Sequence, residues 1–245
     1  MPKVSINILT KNRSELLQQA LNSVFNQSFK DIEVVIVNDG SNDNTDRVLK
    51  DLKFDNIKII NHYTSLGITL SRQEALNQSM GEYIAILDDD DEWIDVDKLK
   101  KQVEYLDGHP DVVLVGGGIS VNSKTQMTNN KFRPETNSEI HKTMLLRNNF
   151  FTSTVMFRRE AGIKVGGFIK DEIDLCEDYD LWLKLGKIGQ MYNFQEPFVK
   201  YRLSSYNKEK FRLFLQKQLK LIRKNKAVYP GFWLAWLILK FRLFL

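Results

Sequence analysis

The stretch YIAILDDDDEW, residues 83–93, places four successive aspartates directly behind a run that reads as a buried strand. Four carboxylates at a strand end repel one another, and the cluster becomes tolerable chiefly when a divalent cation and its ligand neutralise it. From the run alone, a solvated acidic turn or a helix cap near Trp93 explains it too. Mg²⁺ or Mn²⁺ usually takes one or two protein carboxylates plus substrate phosphates. Asp88 and Asp90, alternate residues that project differently from the turn, suit a nucleotide diphosphate held that way.

Working outward, further strand-like runs end in polar residues: VSINIL (4–9), IEVVIVND (32–39), IKII (57–60) and VVLV (112–115). Helical patterns alternate with them over residues 14–26, 45–52, 68–79 and 95–106. Asp43 or Asn44 can cap the second of these, and Asp95 or an earlier acid the fourth. The alternation predicts an α/β sheet. In such sheets ligands collect beyond the carboxyl ends of the strands, where residues 10–13, Asp39 and the aspartate run all fall. From residue 116 the pattern loosens into GGGISVNSKTQMTNNKFRPETNSE, a long loop or irregular hairpin bordering the site. A helix over 138–147, a strand STVMF, a short helix, GGF (166–168) and a helix from Glu177 are expected beyond it.

Composition narrows the chemistry. A chain of 245 residues, 42% apolar, can bury one large core, so one domain with a tail is expected. Cys176 stands alone, which rules out an internal disulfide. His62, His109 and His141 are scattered and form no zinc-like cluster, so any metal should be a hard ion held by oxygen. No stretch reaches the roughly 20 apolar residues of a spanning helix, and MPKVSINILT lacks the build of a signal peptide, so a cytoplasmic body is expected. The net charge of +4 conceals a division: residues 207–245 carry +9 and residues 1–206 carry −5. That tail begins as a basic amphipathic helix with Phe211, Leu215, Leu219 and Ile222 on one stripe, and ends in the apolar, aromatic YPGFWLAWLILKFRLFL. Core packing, a dimer contact and a helix lying in an anionic headgroup region are the alternatives for it. No recognised nucleic-acid module accompanies the charge, so nucleic acid is not an expected partner.

SINILTKNR, VIVNDGSNDNT, LGITLSRQEALNQSMGEYIAILDDDDEW, GGF and CEDYDLWLKLG resemble, in order and spacing, the family 2 inverting glycosyltransferases of the GT-A fold. The resemblance covers about residues 3–202. It implies a Rossmann-like nucleotide-binding sheet flanked by helices, with the C-terminal basic amphipathic tail added. Residues 1–206 would form the transferase domain, about 1–115 binding the nucleotide sugar and 116–206 the acceptor, and 207–245 the membrane-associating tail.

The resemblance also implies roles. Thr10, Asn12 and Asp39 would hold the nucleotide base, with Arg13 beside them. The aspartate run corresponds to the D-x-D signature, with Asp88 towards the ribose, Asp89 on the same donor side and Asp90 on an Mg²⁺ or Mn²⁺ ion. Arg72 falls at the arginine of a G-x-x-x-x-R pattern beginning at Gly67; from the residues alone it could pair with phosphates or with the acidic cluster. The ED motif points to Asp178, rather than Glu177, as general base; taken alone, CEDYDLW is more often an acidic helix start. Asp89 and Asp91 would also shape the turn and help cap the segment after Trp93.

Two departures matter. Ser204 stands where many relatives carry a histidine near the metal, which points to a weaker ion requirement or to ligation completed by water. Q-x-x-R-W is absent, which favours transfer of one sugar per encounter. The implied activity is inverting transfer from a nucleotide-diphosphate sugar, UDP by family habit, to a glycan acceptor on a lipid, at the inner face of the membrane. A nucleotidyltransferase would need a glycine-rich GxGxR opening that is missing. A non-catalytic membrane-bound glycan or nucleotide-binding partner is the reading prompted by the absent histidine.

Overall fold

Strands rich in Val and Ile build one side of a large mixed sheet, and their buried polar residues are hydrogen-bonded, Ser5 to Glu33 and Asn7 to Ser79. The computed structural model describes residues 1–244 apart from 53, 55, 123–127, 169–174 and 203–207. The strands β1 (Val4–Thr10), β2 (Ile32–Asn38), β3 (Ile57–Asn61) and β4 (Tyr83–Asp88) are parallel and lie in the order β3-β2-β1-β4. Ile6 pairs with Val34 on one side and Ala85 on the other, and every residue of β2 is buried, as expected where helices cover both faces. The connection from β3 to β4 crosses β1, so the strand order reverses beside β1. Residues at the carboxyl ends of β1 and β4 therefore face a crevice.

The helices fit the pattern of their apolar residues. α1 (Ser14–Phe25) buries Leu17, Ala20, Leu21 and Val24 at helical spacing. α2 spans only Thr45–Lys50, and Asp43, not Asn44, bonds its first turn, accepting from the Thr45 N–H at 3.0 Å. α3 spans Ile68–Gln78. α4 is Lys98–Gly108, three residues later than expected, because residues 95–97 form a turn in which the Asp95 carboxylate accepts from the Asp97 N–H.

Beyond residue 110 the sequence reading needs correction. VVLV is the start of an eleven-residue strand, β6 (Val112–Asn122), which pairs with β7 (Thr128–Lys131) as a hairpin, so the irregular-hairpin alternative holds in place of the long loop. The loop between them, 123–127, lies outside the described residues. STVMF divides into a 3₁₀ turn (Thr152–Thr154) and β8 (Met156–Arg158), which bridges β4 and β6 antiparallel. The short helix is α6 (Arg159–Lys164), the helix before the turn is α5 (Asn137–Thr143), shorter than 138–147, and α7 is Glu177–Leu185. Two strands escaped the sequence reading: β9 (Gln190–Tyr201), parallel to β6, and β5 (Glu92–Trp93), which pairs with β9.

The C-terminal residues form α8 (Lys208–Asn225) and α9 (Phe232–Phe244). Leu215, Leu219, Leu221 and Ile222 of α8, with Ala235 and Leu239 of α9, join Tyr179, Leu181 and Trp182 of α7 in one core cluster. The expected stripe is therefore buried against the helix that carries the ED motif.

Candidate active site

Asp39 ends β2 and holds a neighbouring loop. Its Oδ1 accepts from the Leu66 N–H and lies against His62 Nδ1, both at 2.8 Å; its Oδ2 accepts from Ser65 Oγ at 2.5 Å and the Gly67 N–H at 3.0 Å. Burial alone would raise its pKa, but these bonds outweigh it and hold the carboxyl well below the usual range. His62 reaches Glu74 Oε2 at 2.7 Å through its other ring nitrogen. Burial opposes the imidazolium, yet the bonds to Asp39 and Glu74 prevail and its pKa is raised. Gly40 makes the close approach possible: its φ is +73° and a Cβ there would meet the Ser65 nitrogen at 2.8 Å.

At the end of β1, Asn12 takes a positive φ of 54° and ties two loops together. Its N–H donates to Ser41 Oγ at 2.9 Å and its Oδ1 accepts from the Asn42 N–H at 2.8 Å. Arg13 reaches the aspartate run, donating from Nη1 to Asp89 Oδ1 at 2.8 Å and Asp90 Oδ2 at 2.9 Å.

The four aspartates have four different surroundings. Asp89 is buried against Arg13, and burial raises its pKa. Asp91 accepts from Ser153 Oγ at 2.6 Å and from the Arg202 N–H at 3.1 Å, and burial pushes it up to about 7. Neither caps α4, contrary to the sequence expectation; they anchor the turn to Arg13, to the 3₁₀ turn and to the end of β9. Asp88 accepts from Arg72 Nη2 at 3.0 Å. Burial raises its pKa, Arg72 opposes the rise, and the charges of Asp90 and Asp178 add to it. Asp90 lines the cleft beside Arg13.

Arg72 connects this cluster to the ED motif. It is only 6% exposed, with Asp88 on one side and Glu177 Oε1 3.4 Å from its Nε on the other. Of the two partners the residues allowed, the acidic cluster is the one it meets. Phe168 of GGF lies with its ring 5.9 Å from the guanidinium. Glu177 is buried, and its pKa rises to about 7 through burial, with Arg72 opposing. Asp178 is half-buried. Its Oδ2 accepts from Thr152 Oγ1 at 2.6 Å and Asn148 Nδ2 at 3.3 Å, and its Oδ1 from the Tyr179 N–H at 2.6 Å. These three donors leave about one of the four lone-pair directions of a carboxylate for another proton.

A cleft of about 570 Å³ opens over these groups, lined by Thr10, Arg13, Asp39, Asp88, Asp89 and Asp90, with Ser65, Gly67 and Ile68 opposite and Tyr201 and Arg202 at one side. That volume lies within the roughly 300–1,000 Å³ usual for small-molecule sites. Thr10, Arg13, Asp39 and Asp88 to Asp90 are thus brought together; Asn12, Arg72 and Asp178 lie outside that lining, Asn12 as a loop tie and Arg72 between Asp88 and Glu177. Sequence reasoning missed His62, Ser153, Tyr201 and Arg202; Thr152 and Asn148 fell within a segment assigned to the acceptor without individual roles. Ser204 lies outside the described residues. Among the described residues no group of three or more His, Cys, Asp or Glu converges as a metal cage. The donor set does fit a hard cation of another kind. Asp88 and Asp90 both line the cleft, and the Asp88 pKa is raised first by burial and then by the Asp90 charge, an arrangement that suits an ion shared with substrate phosphates.

A sequence model described as Glycosyl transferase family 2 matches residues 5–168. The amylovoran biosynthesis glycosyltransferase AmsE of Erwinia amylovora is 26% identical over 234 residues, covering 93% of this chain and 86% of AmsE. Among solved structures, S. aureus TarS 1-349 in complex with UDP-GlcNAc superposes with a TM-score of 0.70 at 21% identity, over 90% of this chain and 66% of that one. The chain thus spans just under two-thirds of the TarS fragment. The mannosyltransferase PcManGT of Pyrobaculum calidifontis, in complex with GDP-Man and Mn²⁺, gives 0.68 at 19% identity over 99% and 70%. The shared fold is GT-A.

Proposed function

The chain belongs to glycosyl transferase family 2, and on that premise we propose that it moves a single sugar from a nucleotide-diphosphate sugar to a glycan hydroxyl with inversion. The observation that carries this reading is the bridge made by Arg72, which joins the strand-end aspartates of the cleft to the helix start bearing Asp178. In this reading the bridge ties the donor-side strand end to the helix start that carries the base.

In this reading the nucleotide lies along the carboxyl ends of β1, β2 and β4, against Thr10, Arg13, the Asp39 loop and Asp88. Asp88 and Asp90 would hold Mg²⁺ or Mn²⁺ against the diphosphate, Asp90 on exchanging its contact with Arg13. A divalent ion there would supply charge stabilisation for the departing diphosphate. Asp178 takes the acceptor hydroxyl's proton as that oxygen bonds to the anomeric carbon. The bond from that carbon to the diphosphate oxygen breaks on the opposite face, and its electron pair leaves with the nucleotide. Thr152, Asn148 and the Tyr179 N–H orient the Asp178 carboxylate. Glu177 is unsuited to the task, since it is buried and turned to Arg72. Arg13 and Arg202, on either side of the aspartates, are positioned to meet phosphate charge.

UDP is the favoured nucleotide, supported by TarS binding UDP-GlcNAc. The acceptor in this reading is a glycan on a membrane lipid, in surface polysaccharide or glycoconjugate biosynthesis. The amylovoran-biosynthesis relative and the basic, apolar C-terminal helices support it. No helix among the described residues is long and apolar enough to cross a membrane, and attachment at the inner face of an anionic bilayer is proposed instead. A thermal-shift screen of UDP- and GDP-sugars with Mn²⁺ tests the donor half. A stabilising sugar nucleotide should then be hydrolysed slowly without acceptor and give an inverted anomer with one, read by proton NMR. A retained anomer, or pyrophosphate release from a nucleoside triphosphate, would overturn the reading.

A further inference from the structure

α8 and α9 form an antiparallel pair whose inner faces close the core and whose open end carries an unassigned site. α9 is apolar on two sides: Ala235 and Leu239 are buried, while Trp233, Leu237, Phe241 and Phe244, spaced along one stripe, are 73%, 58%, 64% and 89% exposed. A helix apolar all round belongs in an apolar medium on both faces, and the protein covers only one of them. Where the start of α8 meets the end of α9, a notch of about 520 Å³ opens beside that stripe. Lys208, Arg212 and Arg242 line it together with Phe211, Leu215 and Phe244, and no acidic residue does. Arg242 lies over the Phe211 ring at 5.1 Å, and among the described residues none of the three cations has a carboxylate partner. Three cations on an apolar floor match a phosphate group carried by hydrocarbon.

We infer that this notch binds the phosphate head of a membrane lipid, with the lipid's chains running along Trp233, Leu237 and Phe241. The inference rests on the membrane part of the proposed function and sharpens it from a general attraction to a defined headgroup site. α8 packs on α7, so a lipid held there is coupled through one core cluster to the helix bearing Asp178.

The full chain is to be sedimented with vesicles of phosphatidylcholine alone and with phosphatidylglycerol added. The wild-type chain is compared with two triple variants. One is Lys208→Gln, Arg212→Gln, Arg242→Gln; the other removes equal charge at the far end of the pair, by Arg223→Gln, Lys224→Gln, Lys226→Gln. The notch triple should lose at least about tenfold of the phosphatidylglycerol-dependent binding, and the distal triple less than about threefold. Equal losses would mean diffuse attraction and overturn the notch while leaving the membrane reading standing. No phosphatidylglycerol-dependent binding by the wild-type chain would overturn both. Full competition by inorganic phosphate at constant ionic strength would mean a free-anion site and overturn the lipid assignment.

Discussion

Two pairs of acids flank Arg72, one at the carboxyl end of β4 and one at the amino end of α7, and both pairs divide in the same way. Asp88 and Glu177 turn inward to the guanidinium, at 3.0 and 3.4 Å. Asp90 and Asp178 bond to other partners, and there the resemblance ends. Asp90 is met by the cation Arg13, whereas Asp178 is met by a hydroxyl, an amide and a backbone N–H. A carboxylate already balanced by a cation is suited to exchanging it for another. A general base is better oriented by neutral donors, because an adjacent cation weakens its hold on a proton. The partner of each of these two acids, more than the acid itself, separates a donor-side carboxylate from a base.

The comparison can be broken most severely at its shared element. Arg72→Met leaves Asp88 and Glu177 facing each other without a counter-charge. It should cost about 3–5 kcal/mol in urea unfolding, the penalty of uncompensated buried charge. An unchanged midpoint would mean that the two pairs are independent. Next in size, Asp90→Asn should lower transfer by about a hundredfold and abolish its dependence on added Mn²⁺. The same change should alter stability by less than about 1 kcal/mol, because the pair with Arg13 is near the surface. A full response to Mn²⁺ in that variant would move the ion to other ligands.

The smallest effect concerns pH. His62 has a raised pKa in the fold, so it binds its proton more tightly there than in the unfolded chain. Its contribution is fully present below the ordinary value of about 6.5 and is lost as pH rises through the higher folded value. Donor affinity, which depends on the Asp39 loop that His62 holds, should weaken over the same window by on the order of 1 kcal/mol. His62→Gln should flatten that slope. A slope unchanged in the variant would assign it to another group.

The half of the molecule around β1 to β4 was legible because short strands dominated by Val, Ile and Leu announce themselves, and the polar residues at their ends fall where an α/β sheet places ligands. The other half was not. β9 contains Gln195, Glu196 and Pro197, and so reads as a loop until β6 lies beside it. The glycines that made residues 116–118 look irregular sit in a strand; a Cβ at Gly117 would meet the Phe198 ring at 2.3 Å. Motif spacing picked out Arg72 and Asp178, and the acidic cluster as one of two partners open to Arg72, but not Glu177 or the donors to Asp178. Glu177 lies over a hundred positions from Arg72 in sequence, and the side-chain donors to Asp178, Asn148 and Thr152, come from an irregular segment and a 3₁₀ turn that carry no periodic signal. His62 was counted only among scattered histidines, since nothing local reveals that Asp39 and Glu74 close on it from both sides.

The central claim is that Asp178, and not its neighbour, takes the proton. Asp178→Asn and Glu177→Gln should be measured in parallel for transfer rate and for donor affinity. Asp178→Asn should lower kcat by about 10²–10⁴-fold with donor affinity unchanged, and Glu177→Gln should lower it by less than about tenfold. Transfer that survives Asp178→Asn and fails in Glu177→Gln, with both variants folded, would contradict the account.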